Sequence, residues 1–315
     1  MIEVRGLTKR FGALEAVSGV GFSVARGEVL GLIGPNGAGK STTLKMIAAF
    51  LPPTSGAATV CGFDVAVDPT EVKRRIGYLP EGAPAYGDMT VSGFLDFVAG
   101  VRGLGGAEKR RRIGDVADRM RLGSVMDRPV ETVSKGFKRR VGIAQALVHD
   151  PEVLILDEPT AGLDPNQRHE VHGLIRDAAP GKAIVVSTHM LDEVEDLCGR
   201  AVVLSQGRVA IEATPEDLQA RSAYHNAVRL RLAADLAERT IEVLRELPKV
   251  ADVARVERPG GAGRATAEIL VVPRPGEDVL ASVSDAVADY RLPVDELRVE
   301  RGRLDDVFRA LTGAA

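Results

Sequence analysis

Between an apolar run, Val29 to Ile33, and a helix-forming stretch, Thr43 to Phe50, stand Gly34, Pro35, Asn36, Gly37, Ala38, Gly39, Lys40, Ser41 and Thr42. A buried strand, a glycine-rich turn and a helix in immediate succession leave few folds open. Gly34, Gly37 and Gly39 free the backbone to turn successive N–H groups inward. A helix beginning near Lys40 adds unpaired donors and the positive end of its dipole. Lys40 brings a point charge to terminal phosphates, and the Ser41 hydroxyl suits a hard cation such as Mg²⁺. In this strand–loop–helix setting the pattern G-x-x-x-x-G-K-[ST] predicts binding of a nucleoside triphosphate.

The surrounding pattern extends the α/β reading. Ile2, Val4 and Leu7, then Val20, Phe22 and Val24, mark strands near the start. Two further buried-strand runs, Val153 to Leu156 and Ala183 to Ser187, are separated by helical segments, which predicts a mostly parallel sheet with crossover helices. From about residue 88 to 150 helix follows helix, as in a helical subdomain set on that core. Ala201–Ser205 and Arg208–Ile211 flank Gln206-Gly207 as a hairpin, and Pro215 opens a short helix. The stretch Ala220 to His225 reads as a domain boundary. Beyond it the order βαββαβ, ending in an amphipathic helix with Leu304, Val307, Phe308 and Leu311, predicts a small ferredoxin-like α+β module. In that module Val250 to Glu257 is a strand closed by a turn at residues 259–263.

Composition narrows the partners. A formal net charge of −3 over 315 residues offers no general attraction to nucleic acid, and none is expected as a partner. Cys61 and Cys198 have no metal-like spacing and read as free thiols in a reducing compartment. Residues 1–5 lack the basic-then-apolar character of a signal peptide. No stretch of about 18 uninterrupted apolar residues occurs, so any membrane connection is expected to run through a partner.

Asp157 and Glu158 close the run Val153 to Leu156. Carboxylates at the end of a buried strand need a reason, since unpaired buried charge is costly. A divalent cation and a phosphate-bound water supply one: neighbouring residues on an extended chain point in different directions, so Asp157 can serve Mg²⁺ while Glu158 polarises the water.

Leu154 to Pro165, with Asp157-Glu158-Pro159 and Asp164, resembles the Walker B and D-loop segment of ATP-binding cassette (ABC) ATPases. Residues 132–148 resemble the signature helix of that family, and Ser187-Thr188-His189 its switch histidine. The motifs run in family order over residues 2 to about 215, roughly two-thirds of the chain. The resemblance implies a P-loop NTPase fold of ABC type over residues 1–220 with an accessory or regulatory domain at 225–315. It implies ATP and Mg²⁺ as cofactors, with Lys40 and the loop holding the phosphates, Ser41, Asp157 and Glu81 around the cation, Glu158 as general base and His189 on the γ-phosphate. Phe11 resembles the aromatic residue that stacks on adenine. Ser134 can cap a helix whose first turn carries Lys138, Arg139 and Arg140, where the dipole disfavours cations unless an anion docks. By resemblance, that anion is ATP on a second copy: two subunits pair head-to-tail, Ser134 and Gly136 of each complete the site of the other, and Asp164 communicates between them.

Two departures from the commonest family pattern stand out. The signature reads Val133-Ser134-Lys135-Gly136-Phe137, and the lid segment ending Leu79-Pro80-Glu81 has Glu where the family usually has Gln. Together they are similar to the ATPases of ABC-2-type exporters, including gliding-motility and nitrous-oxide-reductase maturation relatives; residues 304–312 resemble the tail of such ATPases. The implied function is ATP hydrolysis driving export through a separately encoded integral membrane permease, with the chain peripheral on the cytoplasmic face of the membrane. In relatives the surface around Asp88 to Leu95 receives the permease. The alternative is a soluble, non-transport ABC ATPase serving assembly or regulation.

Overall fold

The structure, a computed structural model, describes residues 1–82, 86–256 and 266–313. It divides into two compact units, Met1–Pro215 and Glu216–Ala315. The division falls just ahead of the Ala220–His225 segment. Glu257 and the turn expected at residues 259–263 lie outside the described residues.

The first unit opens with β1 (Ile2–Phe11), β2 (Leu14–Val24) and β3 (Val29–Ile33), followed by α1 (Lys40–Ile47), β4 (Ser55–Val60) and β5 (Phe63–Asp64). Then come α2 (Pro69–Arg75), β6 (Ile76–Leu79), α3 (Val91–Val101), α4 (Gly106–Arg119) and α5 (Lys135–Leu147). The unit continues with β7 (Val153–Asp157), α6 (Pro165–Ala178), β8 (Ala183–Thr188), α7 (Leu191–Leu197), β9 (Arg200–Ser205) and β10 (Arg208–Ala213). Strands β2-β1-β4-β5 form an antiparallel sheet, and β10-β9-β3-β8-β7-β6 form a second sheet that is parallel except for β10.

Every residue of β3, β7 and β8 is buried, as expected for parallel strands covered on both faces. Helix α1 packs against β1, β2 and β4 on one side and β7 on the other, so Thr43, Leu44, Met46 and Ile47 are fully enclosed. One core of Ile2, Leu7, Phe22, Leu30, Leu44, Met46 and Val185 therefore runs through both sheets. Helix α1 stops at Ile47, short of the expected Phe50. Ala49 takes a left-handed φ of +56°, and the Phe50 N–H donates to the Lys45 carbonyl at 2.9 Å while the Ala49 N–H donates to Met46 at 3.1 Å. This pair of bonds is a Schellman ending, and it turns Phe50 out to solvent.

Register decides where the site lies. Ile33 pairs with Thr188 and Asp157 with Ser187, so β3, β7 and β8 finish on one edge of the sheet. The loop after β3, the acid pair ending β7 and His189 after β8 are thus delivered to one place. In open α/β sheets, ligands bind at the carboxyl ends of the strands. The β9–β10 turn reaches the same place: Gln206 and Gly207 have φ of +49° and +76°, as a two-residue primed turn requires. The Gly207 N–H donates to the Ala38 carbonyl at 3.2 Å, and its own carbonyl accepts from the Ser18 N–H at 2.8 Å.

Helices α3, α4 and α5 occupy the stretch in which only helices were expected, and Thr90 caps α3 by accepting the Gly93 N–H at 3.0 Å. The second unit follows α8 (Pro215–Gln219), which spans the division, and contains β11 (Val228–Ala233), α9 (Ala237–Arg245), β12 (Val250–Val256), β13 (Thr266–Pro273), α10 (Leu280–Asp289), β14 (Val294–Val299) and α11 (Leu304–Thr312). Its antiparallel order β12-β13-β11-β14 is the ferredoxin-like arrangement read from the sequence. Val228, Leu230, Ile241, Leu244, Ile269 and Val283 give it a core of its own.

Candidate active site

A cleft of about 550 Å³ opens where the three strands end, lined by the whole loop from Pro35 to Thr42 together with Phe11, Leu14, Glu81, Glu158 and His189. Gly37 and Gly39 carry φ of +82° and +99°. Gly34 is glycine for a different reason: a β-carbon there would lie 2.6 Å from the Leu204 carbonyl oxygen of β9. Lys40 is buried, and its Nζ donates to the carbonyls of Gly34 at 2.7 Å and Pro35 at 3.3 Å. The loop thereby holds its own cation over the cleft. Phe11 is half-exposed at the rim, with Lys9 Nζ 5.4 Å from its ring centroid.

The acid pair shows the divergence expected of strand neighbours. Asp157 is 1% exposed. Its Oδ1 accepts from Ser41 Oγ at 3.1 Å and from Ser187 Oγ at 2.5 Å. Its Oδ2 is buried without a hydrogen-bond partner among the described residues. Glu158 leaves the strand with a φ of +50°, a left-handed conformation costly for a non-glycine residue and frequent at functional sites. Its N–H is held by Ser187 Oγ at 3.0 Å, its Oε1 lies 3.6 Å from Lys40 Nζ, and its Oε2 lies 2.9 Å from His189 Nδ1. Ser187, quoted only as part of the switch motif, is the residue that ties the Asp157 carboxylate to the Glu158 backbone. Its place in register with Asp157 is the signal that locates it, and register is a property of the sheet.

Ser134, Gly136 and Asp164 do not line this cleft. Ser134 caps α5 by accepting the Phe137 N–H at 3.3 Å, and Asp164 caps α6 by accepting the Gln167 N–H at 2.9 Å. Gly136 is buried against the Gln167 side chain, 3.2 Å from where a β-carbon would stand. The two helix starts therefore meet at Gln167 as a group apart. Helix α5 begins at Lys135, which puts Arg139 and Arg140 in its second turn and not in the first as expected; Arg140 pairs with Glu170, while Arg139 donates to the Ala161 carbonyl at 3.4 Å. Burial pulls the Arg139 guanidinium down from its ordinary value, and the charges of Glu81 and Glu158 pull it back.

A second buried acid backs the switch. Glu193 on α7 is 2% exposed and accepts from Thr160 Oγ1, with His172 Nε2 at 3.6 Å. Burial pushes its carboxyl up, but His172, Thr160 and Thr188 outweigh it and leave it below the usual range. The loop after β7 and the segment after β8 are thus joined behind Glu158 and His189.

A family model described as ABC transporter matches residues 17–161. The chain is 36% identical over 313 residues to the daunorubicin/doxorubicin resistance ATP-binding protein DrrA of Streptomyces peucetius, covering 99% of this chain and 92% of that protein. The chain belongs to the ABC transporter family. It is also 40% identical over 224 residues to the probable multidrug ABC transporter ATP-binding protein YbhF of Escherichia coli (strain K12), which takes in 71% of this chain but only 39% of that relative's length. The structure of a dimeric bacterial ABC transporter cassette superposes with a TM-score of 0.62 at 25% identity, covering 68% of this chain and 99% of that one. Among the described residues of this ABC chain, no helix is long and apolar enough to cross a membrane.

Proposed function

We propose that this ABC ATPase hydrolyses Mg²⁺-ATP in head-to-tail pairs and drives export by a separate membrane protein, on whose cytoplasmic side it sits. The observation that carries the reading is the acid pair: Asp157 turned to Ser41, and Glu158 turned to Lys40 and His189. An orphaned, buried carboxylate oxygen beside a serine hydroxyl is a donor set that a hard cation takes. Ser41 and Asp157 fit Mg²⁺, with Glu81 at the rim as a further oxygen donor. Bound there, the ion neutralises charge on the phosphates.

The chain's own residues carry the rest. Phe11 stacks on the base, while Lys40 exchanges loop carbonyls for phosphate oxygens. Glu158 accepts a proton from the water that attacks the γ-phosphorus; the new P–O bond forms as the bond to ADP breaks. His189, held on Glu158, positions water and γ-phosphate. Ser134, Gly136 and Asp164, outside the cleft, are left to serve the site of a second copy, and a solved dimeric relative supports such pairing. The C-terminal unit, with a core of its own, is an accessory module for dimer stability or regulation.

A groove of about 740 Å³ supports the partner. Exposed Phe50, Phe97 and Val101 line it, and Lys73, Arg74 and Arg102 add positive charge. It suits a short amphipathic cytosolic segment of a membrane protein with acidic residues. Relatives named for drug resistance and for Nod factor export support outward movement as the direction.

The test is Glu158→Gln. Turnover should fall by a factor of roughly 10² to 10⁴, the usual contribution of a general base, while ATP is retained and an ATP-dependent dimer accumulates in light scattering. Wild-type hydrolysis in that variant would remove Glu158 from the role. Copurification from membranes with a polytopic protein supports export; an active complex of soluble proteins alone would favour the assembly-factor alternative.

A further inference from the structure

The basic start of α5 is not one surface. Arg140 is taken up by Glu170, and its guanidinium stands 5.3 Å from the Phe137 ring centroid. Arg139 turns the other way, toward the nucleotide cleft of its own chain. Its Nη2 donates to Ala161 at 3.4 Å, and Ala161 both lines that cleft and donates its N–H to the Glu158 carbonyl at 3.2 Å. Its Nη1 is shut off from solvent with no hydrogen-bond partner among the described residues. A guanidinium stays charged and carries donors in a fixed fork, and leaving a buried donor unmade is costly. An unfinished guanidinium behind a cleft that holds Glu81 and Glu158 is a complement waiting for negative charge.

The charge count of the cleft explains the need. Asp157, Glu158 and Glu81 face one fixed side-chain cation, Lys40, and the phosphates of a bound nucleotide add more negative charge than Mg²⁺ removes. Glu81 adds a further negative charge to the cleft that Lys40 and the phosphate loop line, next to the place where a triphosphate would lie. We infer that Arg139 is a positioning residue of its own chain's site, a guanidinium anchored on Ala161 that offsets the lid carboxylate Glu81 beside Glu158 and the γ-phosphate. The inference rests on the reading that this cleft holds ATP. On this reading the acid in the lid and the arginine behind it act together.

The experiment uses the full chain with Mg²⁺ and measures affinity for ADP and for the non-hydrolysable triphosphate AMP-PNP by calorimetry, alongside kcat and KM for ATP and a melting curve for each variant. Arg139→Gln should weaken AMP-PNP binding about tenfold and ADP binding by less than about threefold, since the lost charge acts mainly on the terminal phosphate. Arg139→Lys, which keeps the charge, should stay within about threefold of wild type for both nucleotides. Glu81→Gln, whose amide oxygen can still face the cation, added to Arg139→Gln should recover most of the AMP-PNP affinity, the coupling expected of interacting charges. Equal loss for ADP and AMP-PNP, or an Glu81→Gln change that deepens the loss, would show Arg139 to be a mere tie between α5 and Ala161 and overturn the inference. Wild-type chain that binds neither nucleotide would overturn the ATP site itself, a different failure that the wild-type titration reveals alone.

Discussion

The nucleotide cleft and the sheet of the C-terminal unit both gather cations and carboxylates, yet they treat charge in opposite ways. On the sheet, Arg229 lies between Glu268 at 2.9 Å and Glu300 at 2.6 Å, and Arg231 pairs with Glu296 at 3.0 Å, which also takes Arg298. Each of these cations answers an anion on its own strand, on a neighbouring strand or just past its end, and burial of Arg229 is outweighed by its partners, which hold its guanidinium above its ordinary value. At the cleft, among the described residues, Asp157 keeps one oxygen and Arg139 behind it one nitrogen without a hydrogen-bond partner, and Lys40 holds two loop carbonyls with Glu158 at 3.6 Å. Charge that closes on itself stabilises a fold, whereas charge left open has a ligand to meet.

His149 follows neither pattern, because the fold favours its neutral form. Burial, then the charge of Arg102, lowers it from 6.5 to about 4 against the help of the Ile76 carbonyl. A folded value below the unfolded one stabilises above pH 6.5, and that stability is lost as pH falls toward about 4, by about 3 kcal/mol in all. His149→Gln should flatten the acid side of the melting-temperature profile between those limits; an unchanged slope would mean the imidazole is freely solvated. Next comes Lys40→Ala, which removes the cation the cleft holds in reserve. It should weaken ATP binding by roughly 1.5–3 kcal/mol, the worth of a charge-assisted hydrogen bond, with little change in melting temperature. A large fall in melting temperature with intact ATP affinity would reverse the assignment of Lys40 to the open kind of charge. The smallest effect belongs to Arg229→Ala, which should lower stability by about 1–2 kcal/mol, since the pairs are partly exposed, and leave ATP affinity untouched. A change in nucleotide affinity there would break the contrast between the two regions.

Much of this division can be read along the chain, because it rests on local order. The loop from Gly34 to Thr42, the Ser134 cap, the Gln206-Gly207 turn and the βαββαβ order of the C-terminal unit all depend on neighbours in sequence. What escapes such reading depends on distant partners. Lys138, Arg139 and Arg140 look alike on a helix start, and only the packing of α5 beside the loop after β7 separates Arg139 from Arg140. Ser187 gains its role from standing opposite Asp157 across two strands. The helix end at Ile47 misleads for a local reason: Ala49 adopts a conformation that glycine usually marks, so the stop carries no punctuation in the sequence.

Hairpin tips on the surface of a domain usually tolerate inserted residues, and for that reason serve as fusion points. The tip at Gln206-Gly207 is of another kind. It is a latch: the Gly207 N–H and carbonyl bind Ala38 and Ser18, the Leu204 carbonyl leaves no room beside Gly34, and a β-carbon at Gly207 would stand 2.8 Å from the Ala16 oxygen. Tags, loops or reporter domains placed there would pry open the phosphate loop from behind, with no residue of that loop altered. The far end of the chain's last parallel strand is in this sense part of the nucleotide's seat.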